Sequence, residues 1–235
     1  MKGRGRTTTW TAAALAGMAA LAVFPGEARA ESAILDDFTS GPYRARLRCG
    51  SETAFQNGTM VGGVRNTSVI VPCGGGANPF NQPASLEIPK GGPLAFDSGI
   101  RVFHRVEVVY GIEKGNVFSP LDLDLSGFDR LRVKFDASDL TLNFNVVVFM
   151  RDGTARAQAG CNIEPRTAPF NLDLRLASDF VPQLGTPDWS DVDAIAIIIQ
   201  SASAVGANDY AITAFGATDE ADPAARLCSD LAPAP

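Results

Sequence analysis

Between Asp124 and Met150 the chain reads DLSGFDRLRVKFDASDLTLNFNVVVFM, and its hydrophobicity repeats every two residues. Leu131, Val133 and Phe135 alternate with Arg130, Arg132 and Lys134. Leu142, Phe144, Val146 and Val148 then alternate with Thr141, Asn143 and Asn145. Successive side chains of an extended backbone point to opposite sides, so this period gives strands with one buried and one wet face and does not give a helix. Asp136-Ala137-Ser138-Asp139 separates the two runs, and Asp and Ser bond their own backbone in tight bends. The stretch predicts two antiparallel core strands joined by a short turn.

The same design recurs at Asp188. Asp124–Phe135 and Asp188–Ile199 both follow D-x-S-x-[FV]-D-x-[LI]-x-[VI]-x-[FI]. Each copy reads as an Asp/Ser turn, an apolar residue beneath it, and a strand entering the core. The alternate face of the first copy carries cations, whereas that of the second carries Ala194, Ala196 and Ile198. The second strand is therefore expected to be central or covered on both faces.

Further alternating segments run along the chain: Ile34–Phe38, Tyr43–Cys49, Thr67–Val71, Ser85–Ile88, Ile100–Tyr110, Thr154–Ala159, Pro169–Leu174 and Asp209–Phe215. Asn57-Gly58 is a hairpin signal. Leu176–Phe180 reads as one helical turn, and no stretch has the length and 3.6-residue period of a major helix. Residues 72–93, PCGGGANPFNQPASLEIPKGGP, form a long Gly/Pro-rich surface excursion. About ten short strands with loop-rich joins predict an all-β sandwich of two antiparallel sheets. The expected organisation is a single domain over 31–217 followed by an Ala/Pro-rich tail, 218–235, pinned by Cys228.

The first thirty residues are expected to be a cleaved secretory leader. Lys2, Arg4 and Arg6 precede an apolar run over 11–24, and Ala28-Arg29-Ala30 is an A-x-A cleavage signal. That run is shorter than the roughly 20 residues a membrane span requires, so no membrane span is expected after cleavage. The place of residence is then outside the cell, or the periplasm where the source has an outer membrane. The chain carries 20 Lys+Arg against 26 Asp+Glu, a formal net charge of −6, with no basic cluster. Nucleic-acid binding is not expected of it. Four cysteines in an exported chain imply two disulfides with three open pairings. Cys49 and Cys73 end neighbouring strand candidates, which favours Cys49–Cys73 with Cys161–Cys228. No C-x-x-C pair exists and His104 is the only histidine, so the composition speaks against zinc.

The D-L-S-G-F-D-R-L-R-V run at Asp124–Val133 resembles the corresponding strand of galactose-binding-like jelly rolls. These include carbohydrate-binding modules and the complex I intermediate-associated type of domain. Asp36-Asp37-Phe38, Asn171–Phe180, Trp189–Ile199 and Asp209–Phe215 are similar to that family's opening and later strands. The outline covers most of 34–217, and only the two D-x-S-x-x-D strands are specific. The Gly/Pro loop and the cysteines depart from it. The resemblance implies a jelly-roll β-sandwich and makes a carbohydrate or cell-envelope polysaccharide the expected partner. It also implies a structural calcium where the opening and closing strands meet, with Asp36, Asp37 and Asp209 as its candidate ligands; no other cofactor is expected.

If the apolar faces pack inward, Arg105, Glu107, Arg132, Lys134, Asn143 and Asn145 project from the other face. Arg and Asn bond hydroxyls bidentately, so that face is the candidate ligand surface. Phe103 on the same face and Phe80 in the Gly/Pro loop are the aromatic candidates for stacking on sugar rings. Trp189 occupies the place of Leu125 in the first copy and reads as a turn-packing residue. His104 falls on the apolar side of its strand, as a general base or as a core residue. The alternative to glycan binding is a structural or adhesive protein that binds another protein. A polysaccharide-acting enzyme is less favoured: there is no G-x-S-x-G elbow and no strand bearing a facing pair of carboxylates.

Overall fold

A computed structural model of the chain describes residues 32–74, 76–113, 117–202 and 206–234. The expected leader lies outside the described residues. Among the described residues there are seventeen strands: β1 (Ser32–Asp36), β2 (Tyr43–Leu47), β3 (Gly50–Asn57), β4 (Val64–Val71), β5 (Ala84–Ile88), β6 (Leu94–Ser98), β7 (Arg105–Tyr110), β8 (Ile112–Glu113), β9 (Val117–Phe118), β10 (Arg130–Ser138), β11 (Leu142–Met150), β12 (Ala155–Ile163), β13 (Phe170–Arg175), β14 (Val181–Leu184), β15 (Val192–Ser201), β16 (Tyr210–Thr218) and β17 (Arg226–Leu227). Among the described residues no helix is long and apolar enough to cross a membrane.

The strands form a jelly-roll β-sandwich. One sheet, which we call sheet A, runs β17-β13-β10-β16-β6-β5-β2, with β1 also paired to β16. The other, sheet B, runs β14-β12-β11-β15-β7-β4-β3. Apart from the short parallel contact of β17 with β13, both are antiparallel. β15 is the central strand of sheet B, as its apolar alternate face indicated.

The two strands of the organising stretch do not form a hairpin. β10 pairs with β13 and β16, while β11 pairs with β12 and β15, so residues 139–141 carry the chain from one sheet to the other. Leu131, Val133 and Phe135 thus face Leu142, Phe144, Val146 and Val148 across the core, and every one of them is buried. Phe135 stacks on Phe170 at 4.9 Å and meets Phe144 edge-on at 5.8 Å. A hairpin would have laid the two apolar faces side by side. The arch buries each against the other, and a period of two is compatible with both.

The D-x-S-x-x-D copies make the same turn. Asp124 Oδ1 accepts from the Ser126 amide and hydroxyl at 2.8 and 2.6 Å, and Asp188 Oδ1 from those of Ser190 at 3.2 and 2.7 Å. These bonds to the charged form hold both carboxyls below the usual range. The turns lie together, the Leu125 amide donating to the Trp189 carbonyl at 2.7 Å, and one feeds each sheet. Trp189 is half-buried and edge-on to Phe180, a turn-packing position.

Cys49 is bonded to Cys73 and Cys161 to Cys228. The tail passes along the outside of sheet A, adds β17 to β13, reaches β12 through Cys228, and ends beside it where the Asn162 amide donates to the Ala232 carbonyl at 2.8 Å. It closes the side of the sandwich between β13 and β12. β14, at the open edge of sheet B, is short and carries Pro182.

A charged cluster lies in the interior. Arg65 and Asp36 have no exposed side-chain surface and meet at 2.6 Å. Arg65 Nε donates to Gln56 Oε1 at 3.1 Å and Nη2 to the carbonyls of Ser40 and Gly41 at 3.0 and 2.8 Å. Asp36 also accepts from the Tyr110 hydroxyl at 2.8 Å and the Phe38 amide at 2.7 Å. These contacts join β1 of sheet A to β3, β4 and β7 of sheet B. Removing one partner leaves a desolvated, uncompensated charge. Asp36→Ala is expected to lower the unfolding free energy by about 3–5 kcal/mol in urea titration.

Candidate functional site

The sequence candidates divide between two outer faces. Asn143 and Asn145 on β11 and Arg105 and Glu107 on β7 lie on sheet B, whereas Arg132 and Lys134 on β10 lie on sheet A. The expectation of one continuous polar face over β10 and β11 is therefore corrected. Those strands belong to different sheets, and their polar sides point in opposite directions.

On sheet B the register sets the candidates in rows. Asn162, Asn143, Gln200 and Arg105 are successive cross-strand neighbours on β12, β11, β15 and β7. Strand spacing of about 4.8 Å makes this row about 14 Å long. Asn145, Ile198, Glu107 and Ser68 form the next row, and Gln158, Val147, Ala196, Val109 and Asn66 the one after. The face mixes amide groups with half-buried aliphatic side chains. Arg105 and Glu107 form an ion pair along β7, with side chains 42% and 27% exposed. Asn145 is buried, and its Oδ1 accepts from Gln158 Nε2 at 3.0 Å. A Cβ at Gly160 would come within 2.1 Å of that Oδ1, so only glycine leaves room for this pair. The amides of Asn143 and Gln200 are half-buried, adjacent, and without a side-chain partner among the described residues.

Gln158 and Gln200 were not among the sequence candidates. Their signal was parity: Gln158 alternates with Ala155, Ala157 and Ala159, and Gln200 ends the alternate face of an otherwise apolar strand. Phe103 is half-buried just before β7, its amide donating to the Ala77 carbonyl at 2.8 Å. Phe80 is exposed on the Gly/Pro loop, with the Arg101 guanidinium 6.0 Å from its ring centre. Asn78 braces that loop by donating to the carbonyls of Arg48 and Gln82 at 2.8 and 2.7 Å.

On sheet A, Arg132 is not available to a ligand. It is only 9% exposed, binds both oxygens of the fully buried Asp173 at 2.7 and 2.8 Å, and donates to the Glu220 carbonyl in the tail at 2.9 Å. The Asp173 carboxylate raises its pKa further. Arg132 fastens the tail to the sheet. Lys134 is exposed beside a shallow cavity of about 140 Å³ between Arg132, Ile34 and Glu220.

The proposed calcium ligands do not come together. Asp36 sits opposite Phe215, six residues along β16 from Asp209, which is about 20 Å at strand rise. Both Asp36 oxygens are bonded within the Arg65 cluster, and Asp37 Oδ1 accepts from the Thr39 amide and hydroxyl at 3.0 and 2.6 Å. Asp209 instead lies near Asp139 and Asp97. Burial and those two acids push its carboxyl up to about 6.

His104 is a core residue. It is 3% exposed and stacks in a row with Phe96, at 3.9 Å, and Tyr210, at 5.9 Å. Its ring nitrogens have no hydrogen-bond partner among the described residues, and burial pushes its pKa down to about 3.

No protein-family model and no curated protein sequence matches the chain. Among solved structures it is similar to the family 11 carbohydrate-binding module of the cellulosomal cellulase Lic26A-Cel5E of Clostridium thermocellum, at 13% identity over 84% of this chain and 96% of that one, with a TM-score of 0.40. The Clostridium thermocellum family 11 module in complex with a β-1,3-1,4-mixed-linked tetrasaccharide gives 14%, 79%, 94% and 0.39 for the same quantities. An exo-β-agarase gives 16% identity over 81% of this chain and 25% of that one, with a TM-score of 0.40. Likeness of this order says nothing about a ligand.

His104 and Asp209 give opposite pH dependences. A histidine whose folded pKa lies near 3 rather than 6.5 stays neutral while the unfolded chain takes up a proton, so its contribution to stability is lost as pH falls from 6.5 toward 3. Asp209, raised from 3.8 to about 6, loses its contribution as pH rises between those values. Replacing His104 by Phe removes only the first effect. The stability of His104→Phe relative to the parent chain is expected to rise by about 1.4 kcal/mol for each pH unit below 6.5, measured by urea titration at a series of pH values.

Proposed function

We propose that this chain is an exported, non-catalytic binding protein whose outer face of sheet B holds a carbohydrate of the cell envelope or its surroundings. The observation that carries the reading is the pair of unengaged amides, Asn143 and Gln200, side by side on β11 and β15 with Arg105 next in the row. An amide presents two donors and an acceptor in a fixed plane, which matches vicinal hydroxyls that both give and accept hydrogen bonds. Beside that row lie Ile198, Val147 and Val109, an aliphatic strip suited to the C–H faces of a sugar ring. Within these three rows the charges are the Arg105–Glu107 ion pair, with Arg156 a single exposed cation in the row beyond Gln158, and so low a charge density suits a neutral polyol. Glu107, the acid within it, is held by Arg105 and serves as a fixed acceptor. Two disulfides suit an oxidising compartment.

The alternative of a protein partner is separated by experiment. The chain is run in affinity gels containing soluble polysaccharides and on a glycan array. Asn143→Ala with Gln200→Ala is expected to weaken polysaccharide binding at least about tenfold, since each lost hydrogen bond contributes about 1 kcal/mol. Lys134→Ala, on the opposite sheet, is expected to bind as the parent chain does. Unchanged binding by the double variant, with its folding intact, overturns the placement. Absence of binding to every polysaccharide overturns the ligand class.

A further inference from the structure

Asp122, Asp191 and Asp193 converge at one end of the sandwich, their carboxylate oxygens all within 4.8 Å of one another. They come from separate pieces of chain: Asp122 from the segment after β9, the other two from the entry to β15. The Leu121 amide donates to the Asp193 carbonyl at 2.9 Å, and Leu123 and Val192 exchange two bonds of 3.0 Å. The Arg151 amide, in the turn between β11 and β12, donates to the Asp191 carbonyl at 3.1 Å. The backbone thus holds three segments around the acids.

Asp193 is the telling member. It is only 1% exposed, and its Oδ2 is buried without a hydrogen-bond partner. Among the described residues no Lys or Arg forms an ion pair with Asp122, Asp191 or Asp193. A buried carboxylate oxygen without a partner, flanked by two further acids, is left without a compensating cation among the described residues.

We propose that Asp122, Asp191 and Asp193 form a calcium site that ties the segment after β9 to the entry of β15. Three carboxylates and no His or Cys select a hard cation over a softer transition metal. Two oxygens bound to one Ca²⁺ at about 2.4 Å lie at most about 4.8 Å apart, and these oxygens all lie within that limit. Mg²⁺ at about 2.1 Å would draw them within about 4.2 Å and hold most of its own water.

The test uses the full chain after dialysis against EDTA. Adding 5 mM CaCl₂ is expected to raise Tm by about 5 °C, and 5 mM MgCl₂ by much less. Asp122→Asn with Asp191→Asn, both at accessible positions, is expected to abolish the calcium rise. Relief of like-charge repulsion keeps its chelated Tm at or above that of the parent chain. A parent chain indifferent to calcium overturns the site, as does a double variant that keeps the full rise. A rise lost only on Asp209→Asn overturns it too, since calcium then binds at the other end of the sandwich.

Discussion

The contact between Arg65 and Asp36 fixes how the two sheets of this protein sit against each other. Buried ion pairs contribute little net stability, because desolvating both charges offsets their attraction. Their effect is on geometry. The guanidinium needs a carboxylate, an amide oxygen and two carbonyls at once, and these come from β1, β3 and the loop leading to β2. A sliding of one sheet over the other would leave several polar groups unsatisfied together, whereas the aliphatic core would tolerate small shifts. Everything on the outer faces, including the amide row on sheet B, inherits its position from that register.

The arch over 139–141 decides which outer face receives which residues. Because β10 and β11 face each other across the core, the cations of β10 and the amides of β11 end on opposite sides of the molecule. Arg130 and Arg132 on sheet A meet Asp173, and Arg132 also the tail, and both become structural, while Lys134 stays exposed. The amides of Asn143 and Gln200 on sheet B meet no side-chain partner among the described residues and stay open on the surface.

Much of this was legible in the chain. Most of the longer strands and their buried sides, the central place of β15, the twin Asp/Ser turns and the favoured cysteine pairing followed from local pattern. What was hidden depended on which sheet a strand joins, since alternation is identical in a hairpin and an arch. Charge was misread in a second way. Asp36 was taken for an acid open to a cation and Arg132 for a ligand contact, because charged side chains are assumed to face water. Arg65 gave the warning. It shares parity with the core residues Val69 and Val71, so its partner had to be inside as well. β6 and β14 were missed because each is short and lies beside Gly and Pro, β8, β9 and β17 because each is two residues long, and β3 because its sequence GSETAFQN has little apolar alternation.

The β14 edge of sheet B has a consequence for how molecules of this chain meet one another. An unpaired strand edge is a template on which a second molecule can extend the sheet. Here the template ends in β14, four residues long, where Pro182 has no N–H to offer an incoming backbone. The β14 end of sheet B thereby carries its own stop against extension of the sheet.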